Sequence, residues 1–283
     1  MKKIIASIIS CLLVASVYGR TFTVSLYDYT PSRGNGITEA EYTNDHGAIY
    51  NITQPRLDVY LPDKSGVPCL LALPGGGYRY VSARNEGSLL AENMLNDNVA
   101  VAVLKYRLPN GHAHIPLADA QRAMEILRDS AVQWGIDSSR IGVIGFSAGG
   151  HLAGCLLTQY KSPKCRPDFG ILIYPVLTLD SALTHKVTRQ QLFSDEVSAR
   201  YMQRFSPVKN VSANTPPCII CACQDDKTVP VKNSILFFEA LTKNGVEAEL
   251  HIYPKGGHGW GFSRNFPSRY NFERSLMEWI QKH

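Results

Sequence analysis

The sequence has few long apolar runs and no dense patch of positive charge. After residue 19, no segment approaches the ~20 apolar residues of a membrane-spanning helix, so no stable membrane insertion is expected. The formal net charge of +5 becomes +3 without Lys2 and Lys3, and the remaining basic residues form no cluster. Binding to nucleic acid is therefore not indicated.

Signatures of metals and cofactors are also absent. The six cysteines after residue 19 fit no zinc-binding spacing, and the sequence contains neither a phosphate-binding loop nor a dinucleotide-binding fingerprint. We therefore expect neither a metal nor an organic cofactor. Five of these cysteines lie in apolar strand-like or helix-like segments and are interpreted as small core residues, so no disulfide pairing is assigned.

The N-terminus does carry an apolar run. Met1-Lys2-Lys3 precedes apolar residues up to Val14, and small residues follow up to Gly19. This order is typical of a secretory signal peptide over residues 1–19, and it predicts export to the periplasm or the extracellular space. Lipid attachment at Cys11 is less favoured, because the apolar stretch continues past that residue.

A serine between glycines follows a strand-like run at 141–144. Residues 145–149 read Gly-Phe-Ser-Ala-Gly, and a helix-like segment rich in small residues comes next. Glycines on both sides let the chain turn tightly from strand to helix, which exposes the serine hydroxyl. The motif predicts Ser147 as a nucleophile, and a purely structural Gly/Ser turn is the alternative when the motif is taken alone.

Glycine-rich loops after other strand-like runs supply the groups that a nucleophilic serine needs. The loop after residues 69–73 contains three glycines, and we predict that the amides of Gly76, Gly77 and Ala148 bind a developing oxyanion. His258 lies among glycines after another strand and is the predicted general base. Asp225 and Asp226 follow a third strand, so either one can be the acid that orients the histidine.

In these motifs and their order, the chain resembles α/β-hydrolase carboxylesterases, and more narrowly the secreted bacterial acetyl xylan esterases. The matching landmarks run along almost the whole chain: 55–62, 74–78, Glu86-Gly87, 106–108, Asp119, 140–153, 206–208, 226–230, Asn233-Ser234 and 256–259. One departure is Pro74, which stands where the esterase oxyanion motif begins with histidine.

The resemblance implies an α/β-hydrolase fold and removal of acetyl or similar short acyl groups from plant polysaccharide such as xylan. Hydrolases of this kind commonly show Asp-x-x-Val-Pro, which residues 226–230 match, so Asp226 is favoured as the acid. Asp225 is then a neighbour that stabilises the loop. Tyr78 and Trp260 are candidates to border the substrate pocket, although core packing is an equal alternative for both.

Residues 20–283 are predicted to form a single α/β domain: a mostly parallel, doubly wound sheet with flanking helices. Residues 20–54 fit an extended arm on one edge, and 178–215 a small cap insertion with one helix over 188–204. An open site under a small cap favours acyl groups carried on a bulky alcohol such as a sugar chain. Expected strands are 56–60, 69–73, 99–106, 141–144, 169–174, 218–223 and 247–253, and expected helices are 86–95, 117–134, 147–159, 231–243 and 271–282.

Other functions remain open at this point. One is a feruloyl or general short-chain carboxylesterase, which shares all of these motifs. A second is a serine exopeptidase, although such enzymes usually carry a large extra domain. A third is a non-catalytic binding protein, against which the intact set of Ser147, Asp226 and His258 argues. The oligomeric state is not predicted.

Overall fold

The computed structural model describes residues 14–16, 19–28, 34–193 and 198–283. Its strands are β1 (Val14–Ser16), β2 (Gly19–Ser25), β3 (Tyr42–Thr43), β4 (Ile49–Tyr50), β5 (Arg56–Leu61), β6 (Val67–Leu73), β7 (Ala100–Lys105), β8 (Ile136–Phe146), β9 (Gly170–Ile173), β10 (Cys218–Cys223) and β11 (Ala248–Tyr253). Its α-helices are α1 (Leu89–Asn96), α2 (His114–Trp134), α3 (Ser147–Gln159), α4 (Lys186–Leu192), α5 (Ala199–Arg204), α6 (Lys232–Lys243) and α7 (Arg269–Lys282).

Nine of these strands form one sheet in the order β1-β2-β5-β7-β6-β8-β9-β10-β11. The six strands from β7 to β11 in this order are parallel, while β1, β2 and β5 add to one edge in antiparallel fashion. The predicted mostly parallel α/β fold is therefore confirmed. Parallel strands of this kind require crossover connections, which place helices on the sheet faces.

Two apolar cores lie on the two faces of the sheet. In β6, Leu71 and Leu73 belong to the core that includes α2, α3 and α6, whereas Leu70 and Ala72 belong to the core that includes α1 and α7. Successive side chains of a strand point to opposite faces, so a strand covered on both sides must be apolar throughout. This explains the continuous apolar runs in the sequence.

The N-terminal part of the chain joins one edge of the sheet. Strand β2 pairs antiparallel with β5, and β3 and β4 form a separate two-stranded hairpin. Of the predicted signal peptide, residues 1–13, 17 and 18 lie outside the described residues. None of the helices in the described part of the chain has the length and apolar character needed to cross a bilayer.

The prediction of one helix over residues 188–204 is wrong. Helix α4 ends at Leu192 because Phe193 takes an extended backbone (φ −133°, ψ 139°) and forms a β-bridge with His112. A second short helix, α5, then begins at Ala199 with the hydroxyl of Ser198 accepting from the amide of Tyr201. The sequence gives no signal for this break, because residues 188–204 contain neither glycine nor proline.

Candidate active site

Ser147 stands at the junction where β8 turns directly into α3. Its φ of 54° lies in the left-handed region, which is unfavourable for a residue with a side chain. Close packing enforces the turn: a Cβ at Gly149 would lie 2.0 Å from the Leu73 carbonyl oxygen, and one at Gly145 2.5 Å from the Gly149 carbonyl oxygen. The flanking glycines are therefore needed to hold Ser147 in this conformation.

The three predicted catalytic side chains form a hydrogen-bonded chain with His258 in the middle. His258 Nε2 is 2.8 Å from Ser147 Oγ, and His258 Nδ1 is 2.6 Å from Asp226 Oδ2. The other carboxylate oxygen of Asp226 accepts from the amides of Thr228 and Val229 at 2.8 and 2.9 Å. With Asp226 fixed in this way, the arrangement favours the tautomer with a proton on Nδ1 and a free electron pair on Nε2 towards the serine.

Asp225 and Asp226 face different partners although they are adjacent in the chain. Asp225 Oδ1 accepts from the amide of Gly257 at 2.8 Å, one residue before His258, whereas the histidine Nδ1 is paired with Asp226. This hydrogen bond ties the histidine loop to the end of β10. The structure thus places Asp226 on the histidine and Asp225 on the loop that carries it.

The predicted oxyanion donors lie beside the serine. Gly76 and Gly77 line the same cavity of about 410 Å³ as Ser147 and His258. Their φ values are 129° and 62°, and a Cβ on Gly76 would lie 2.1 Å from the Tyr80 carbonyl oxygen, so glycine is required there. Ala148 is the second residue of α3, and the first N–H groups of a helix have no intrahelical acceptor. These positions suit the binding of a negatively charged oxygen.

Of the two alternatives for Tyr78 and Trp260, the structure shows core packing, and neither side chain lines the cavity. Tyr78 is 1% exposed, and its φ of 61° turns the chain so that its hydroxyl lies 2.9 Å from His151 Nδ1. His151 Nε2 donates to the Phe205 carbonyl at 2.7 Å, so Nδ1 is the acceptor for Tyr78. Trp260 is 5% exposed and stacks on Phe266 with ring centroids 4.0 Å apart. Both aromatic residues belong to the interior.

Two residues without a predicted role connect the loops of the site. Glu86 is buried, and its two oxygens accept from the amide of Gly75 at 2.6 Å and the hydroxyl of Tyr174 at 2.7 Å. The Tyr174 oxygen also accepts from the amide of Gly261 at 3.0 Å, and its ring centroid is 4.8 Å from that of His258. Burial raises the pKa of Glu86, while the hydrogen bonds from Tyr174 and Gly75 oppose that rise.

Glu86 therefore connects the oxyanion loop to the histidine loop through one tyrosine. From the sequence, Glu86 is marked only as one of the residues that match the family pattern, and no role is predicted for it. Nothing in the local pattern around Tyr174 distinguishes it from an ordinary core residue at the end of a strand.

The cap contributes the opposite side of the cavity. His185 and Val187 from this segment line it, together with Arg79 and Tyr80 from the loop after the three glycines. His185 Nδ1 lies 2.9 Å from Thr188 Oγ1. Burial and the nearby His258 lower the pKa of His185, so its imidazole is neutral near pH 7. The cap thus adds a second imidazole to the lining of the cavity that holds Ser147 and His258.

The described part of the chain offers no group of three or more His, Cys, Asp or Glu side chains that would hold a metal ion. Its cysteines are unpaired and buried, at positions 69, 155, 165, 218, 221 and 223. Burial raises the pKa of the thiols of Cys69, Cys221 and Cys223 to about 12 in each case. These thiols stay protonated at neutral pH, as expected of core residues.

The chain is similar to known hydrolases. Residues 113–283 match the model of the prolyl oligopeptidase family. An acetylxylan esterase of Xylanibacter ruminicola is 35% identical over 227 residues, which cover 78% of this chain and 47% of that protein. An endo-1,4-beta-xylanase B of Butyrivibrio fibrisolvens is 33% identical over 236 residues, which cover 78% of this chain and 36% of that protein. The chain therefore spans half or less of the length of these two relatives.

A solved structure matches over nearly its full length. The acetyl ester-xyloside bifunctional hydrolase of Caldicellulosiruptor lactoaceticus superposes with a TM-score of 0.78 and 32% identity, covering 95% of this chain and 98% of that one. A parallel sheet with a glycine-flanked serine at the turn from strand to helix defines a hydrolytic enzyme with the α/β-hydrolase fold. Within that class, the chain belongs to the prolyl oligopeptidase family.

Proposed function

We propose that the chain is a serine carboxylesterase that removes acetyl or similar short acyl groups from plant polysaccharide such as xylan. The observation that carries this proposal is the hydrogen-bonded chain from Ser147 through His258 to Asp226, beside a glycine loop with the features of an oxyanion site. The similarity to proteins named for acetyl ester and xylan hydrolysis supports the choice of acyl group and carrier.

In the proposed acylation step, Ser147 Oγ attacks the ester carbonyl carbon while His258 Nε2 takes the hydroxyl proton. The carbonyl oxygen becomes an oxyanion, and the amides of Gly76, Gly77 and Ala148 donate to it, each typically worth about 3 kcal/mol in the transition state. Asp226 stabilises the imidazolium. His258 then gives its proton to the leaving sugar hydroxyl, which departs and leaves the acyl group on Ser147.

Deacylation repeats these roles with water. His258 Nε2 takes a proton from a water molecule that attacks the acyl-serine carbonyl, and the same amides hold the new oxyanion. Collapse of this intermediate breaks the acyl–Oγ bond, the proton returns to Ser147, and the free acid leaves. No step needs a metal or an organic cofactor.

The test measures the acid released from acetylated xylo-oligosaccharides, methyl ferulate, and p-nitrophenyl esters of increasing chain length. We expect the acetylated sugar to have the highest kcat/KM, and Ser147→Ala to abolish turnover without a change in thermal stability beyond a few degrees. Covalent labelling of Ser147 by a fluorophosphonate is the matched check of the nucleophile. If only the synthetic esters are hydrolysed, the carbohydrate assignment is wrong and the protein is a general short-chain esterase.

A serine exopeptidase is the second candidate, because the family model that matches is that of the prolyl oligopeptidases. The chemistry at Ser147 would be the same, with an amine as the leaving group. A dipeptidyl anilide distinguishes the two: cleavage of this substrate at a higher kcat/KM than any ester would favour the peptidase.

We also propose that the protein is exported, on the basis of the N-terminal sequence pattern. Expression of the full chain in a Gram-negative host, followed by separation of periplasm and cytoplasm and N-terminal sequencing, tests this. Mature protein that begins near residue 20 outside the cytoplasm supports export, whereas uncleaved cytoplasmic protein contradicts it.

A further inference from the structure

Three tyrosine rings lead from the catalytic cavity to the exposed hairpin of β3 and β4. Tyr80 lines the cavity, and its ring lies against Gly76, where an added Cβ would meet Tyr80 Cδ2 at 2.7 Å. The Tyr50 ring centroid is 5.1 Å from that of Tyr80, and the Tyr42 centroid is 4.8 Å from that of Tyr50. Tyr42 is 53% exposed. We call Tyr42, Tyr50 and Tyr80 the tyrosine ladder.

The hairpin that carries the ladder is firmly attached beside the site. Ile49 and Val81 exchange two backbone hydrogen bonds of 2.9 Å each, which join β4 to the loop that follows the oxyanion glycines. Directly before β3, the carboxylate of Glu41 accepts from Lys105 Nζ at 2.6 Å. Because these contacts fix the rings before any ligand arrives, binding on the ladder needs little further ordering.

The chemistry of the ladder fits a sugar chain. Aromatic rings bury large apolar faces, and tyrosine adds a hydroxyl that hydrogen-bonds at the water-exposed end. Pyranose rings offer the complement, with C–H groups on their faces and hydroxyls at their edges. Tyr42 and Tyr50 stack on each other with ring planes 4° apart, so the aromatic surface open to a sugar is the 53% exposed ring of Tyr42. The ladder is continuous with the cavity at Tyr80, so a chain lying on it has its acylated unit near Ser147.

We propose that the tyrosine ladder is a binding subsite for the sugar chain that flanks the acylated unit, which makes the enzyme prefer oligomeric over monomeric acetylated carbohydrate. This inference rests on the proposed function as a carbohydrate esterase. It assigns a binding role to the ring of Tyr42, which is exposed and does not belong to the apolar core. It also places the sugar contact on the hairpin rather than on Tyr78 or Trp260.

The experiment compares wild-type protein with Tyr42→Ala, Tyr50→Ala and Tyr270→Ala. Tyr270 is the matched control, because it is 76% exposed and lies on α7, away from the residues that line the cavity. Each variant is assayed on acetylated xylobiose, acetylated xylohexaose and p-nitrophenyl acetate. In parallel, isothermal titration measures the binding of unacetylated xylohexaose to Ser147→Ala with and without the Tyr42→Ala change.

For Tyr42→Ala and Tyr50→Ala, we expect KM for the acetylated hexaose to rise by about three- to tenfold, the range for loss of one aromatic contact. Turnover of p-nitrophenyl acetate should stay within about twofold, which also shows that the variants fold. Tyr270→Ala should match wild type on every substrate, and Tyr42→Trp should retain the preference for the longer chain.

Two results would overturn the inference, and they differ in what else they affect. If wild type deacetylates the sugars but both alanine variants keep its chain-length preference, the ladder is not a subsite and the proposed function stands. If wild type hydrolyses p-nitrophenyl acetate but no acetylated sugar, and unacetylated xylohexaose does not bind, the carbohydrate function fails and the ladder proposal fails with it.

Discussion

The two sides of the catalytic cavity are built in different ways. The catalytic side carries Ser147, Asp226 and His258 at or just after the carboxyl ends of the parallel strands β8, β10 and β11, of which β8 and β10 are interior strands of the sheet and β11 is an edge strand. The opposite side takes His185 and Val187 from the cap, where Phe193 is extended after α4 and Ser198 is extended before α5. Strand ends are fixed by the sheet, whereas the cap position depends on tertiary contacts. We therefore expect substitutions on the catalytic side to affect the rate of the reaction, and substitutions on the cap side to affect substrate preference.

The largest expected effect on the catalytic side is that of Asp226→Asn. The amide would donate a hydrogen bond to His258 Nδ1, which leaves the proton on Nε2 and removes the base that Ser147 needs. We expect kcat on p-nitrophenyl acetate to fall by about 10⁴-fold. Asp225→Asn keeps one acceptor oxygen for the amide of Gly257, so it should cost less than about tenfold. The reverse ranking of the two variants would assign the acid role to Asp225.

Behind the catalytic side, His151 should make stability depend on pH. Burial lowers its pKa to about 4, and the neutral ring satisfies both Tyr78 and Phe205. An unfolded histidine titrates near pH 6.5, so between pH 6.5 and 4 the unfolded chain binds the additional proton. The free energy of unfolding should thus be fully retained above pH 6.5 and fall by about 3 kcal/mol as the pH drops to 4.

Urea denaturation at pH 7 and pH 4.5 measures this dependence. His151→Gln, whose amide can accept from Tyr78 and donate to Phe205, should reduce the loss of stability on acidification. His46→Gln is the control, since His46 is exposed. A pH dependence that is the same in His151→Gln and wild type would contradict the role of His151.

Glu86→Gln tests the connection between the loops of the catalytic side. A glutamine can accept from Gly75 or from Tyr174 but not from both, so one buried donor loses its acceptor. Glu86 and the oxyanion glycines line the same cavity, so the lost hydrogen bond displaces groups that act on the transition state. We expect kcat to fall by about tenfold, with a smaller change in KM. Glu92→Gln, on the exposed side of α1, is the matched control. A change in KM alone would show that Glu86 acts on the pocket.

The smallest effect is expected on the cap side, from His185→Ala. Removal of this imidazole opens the cavity without touching the hydrogen bonds of Ser147, Asp226 or His258. KM for acetylated oligosaccharide should change by about threefold, with kcat on p-nitrophenyl acetate preserved within about twofold. A loss of kcat as large as that of Asp226→Asn would remove the distinction between the two sides of the cavity.

The sequence pattern was sufficient to predict the turns that carry the catalytic residues. The glycines around Ser147, placed after an apolar run, indicate a tight turn at the end of a buried strand, and those around His258 indicate a turn after a strand-like segment; the structure has turns at both places. Pattern alone also placed the parallel sheet, because continuous apolar strands alternating with amphipathic helices allow few other architectures.

The sequence pattern did not predict the directions in which individual side chains point. Tyr78 and Trp260 are next to site residues in the chain, yet positive φ values in their loops turn both rings into the core. Glu86 and Tyr174 are far apart in the chain and meet only after folding. The break between α4 and α5 has the same origin, since the bridge from Phe193 to His112 joins segments about 80 residues apart.

The left-handed backbone conformation of Ser147 is needed for activity but lowers the stability of the protein. A side chain in this region costs about 1–2 kcal/mol, which glycine avoids, although glycine also gains entropy in the unfolded chain. Ser147→Gly should therefore give an inert protein that is as stable as the wild type or more stable, by up to about 1 kcal/mol. Loss of the nucleophile would then slightly stabilise the protein, so serine is kept at this position by selection for catalytic activity. In a gene copy freed from that selection, glycine at this position is the substitution that the fold itself would favour.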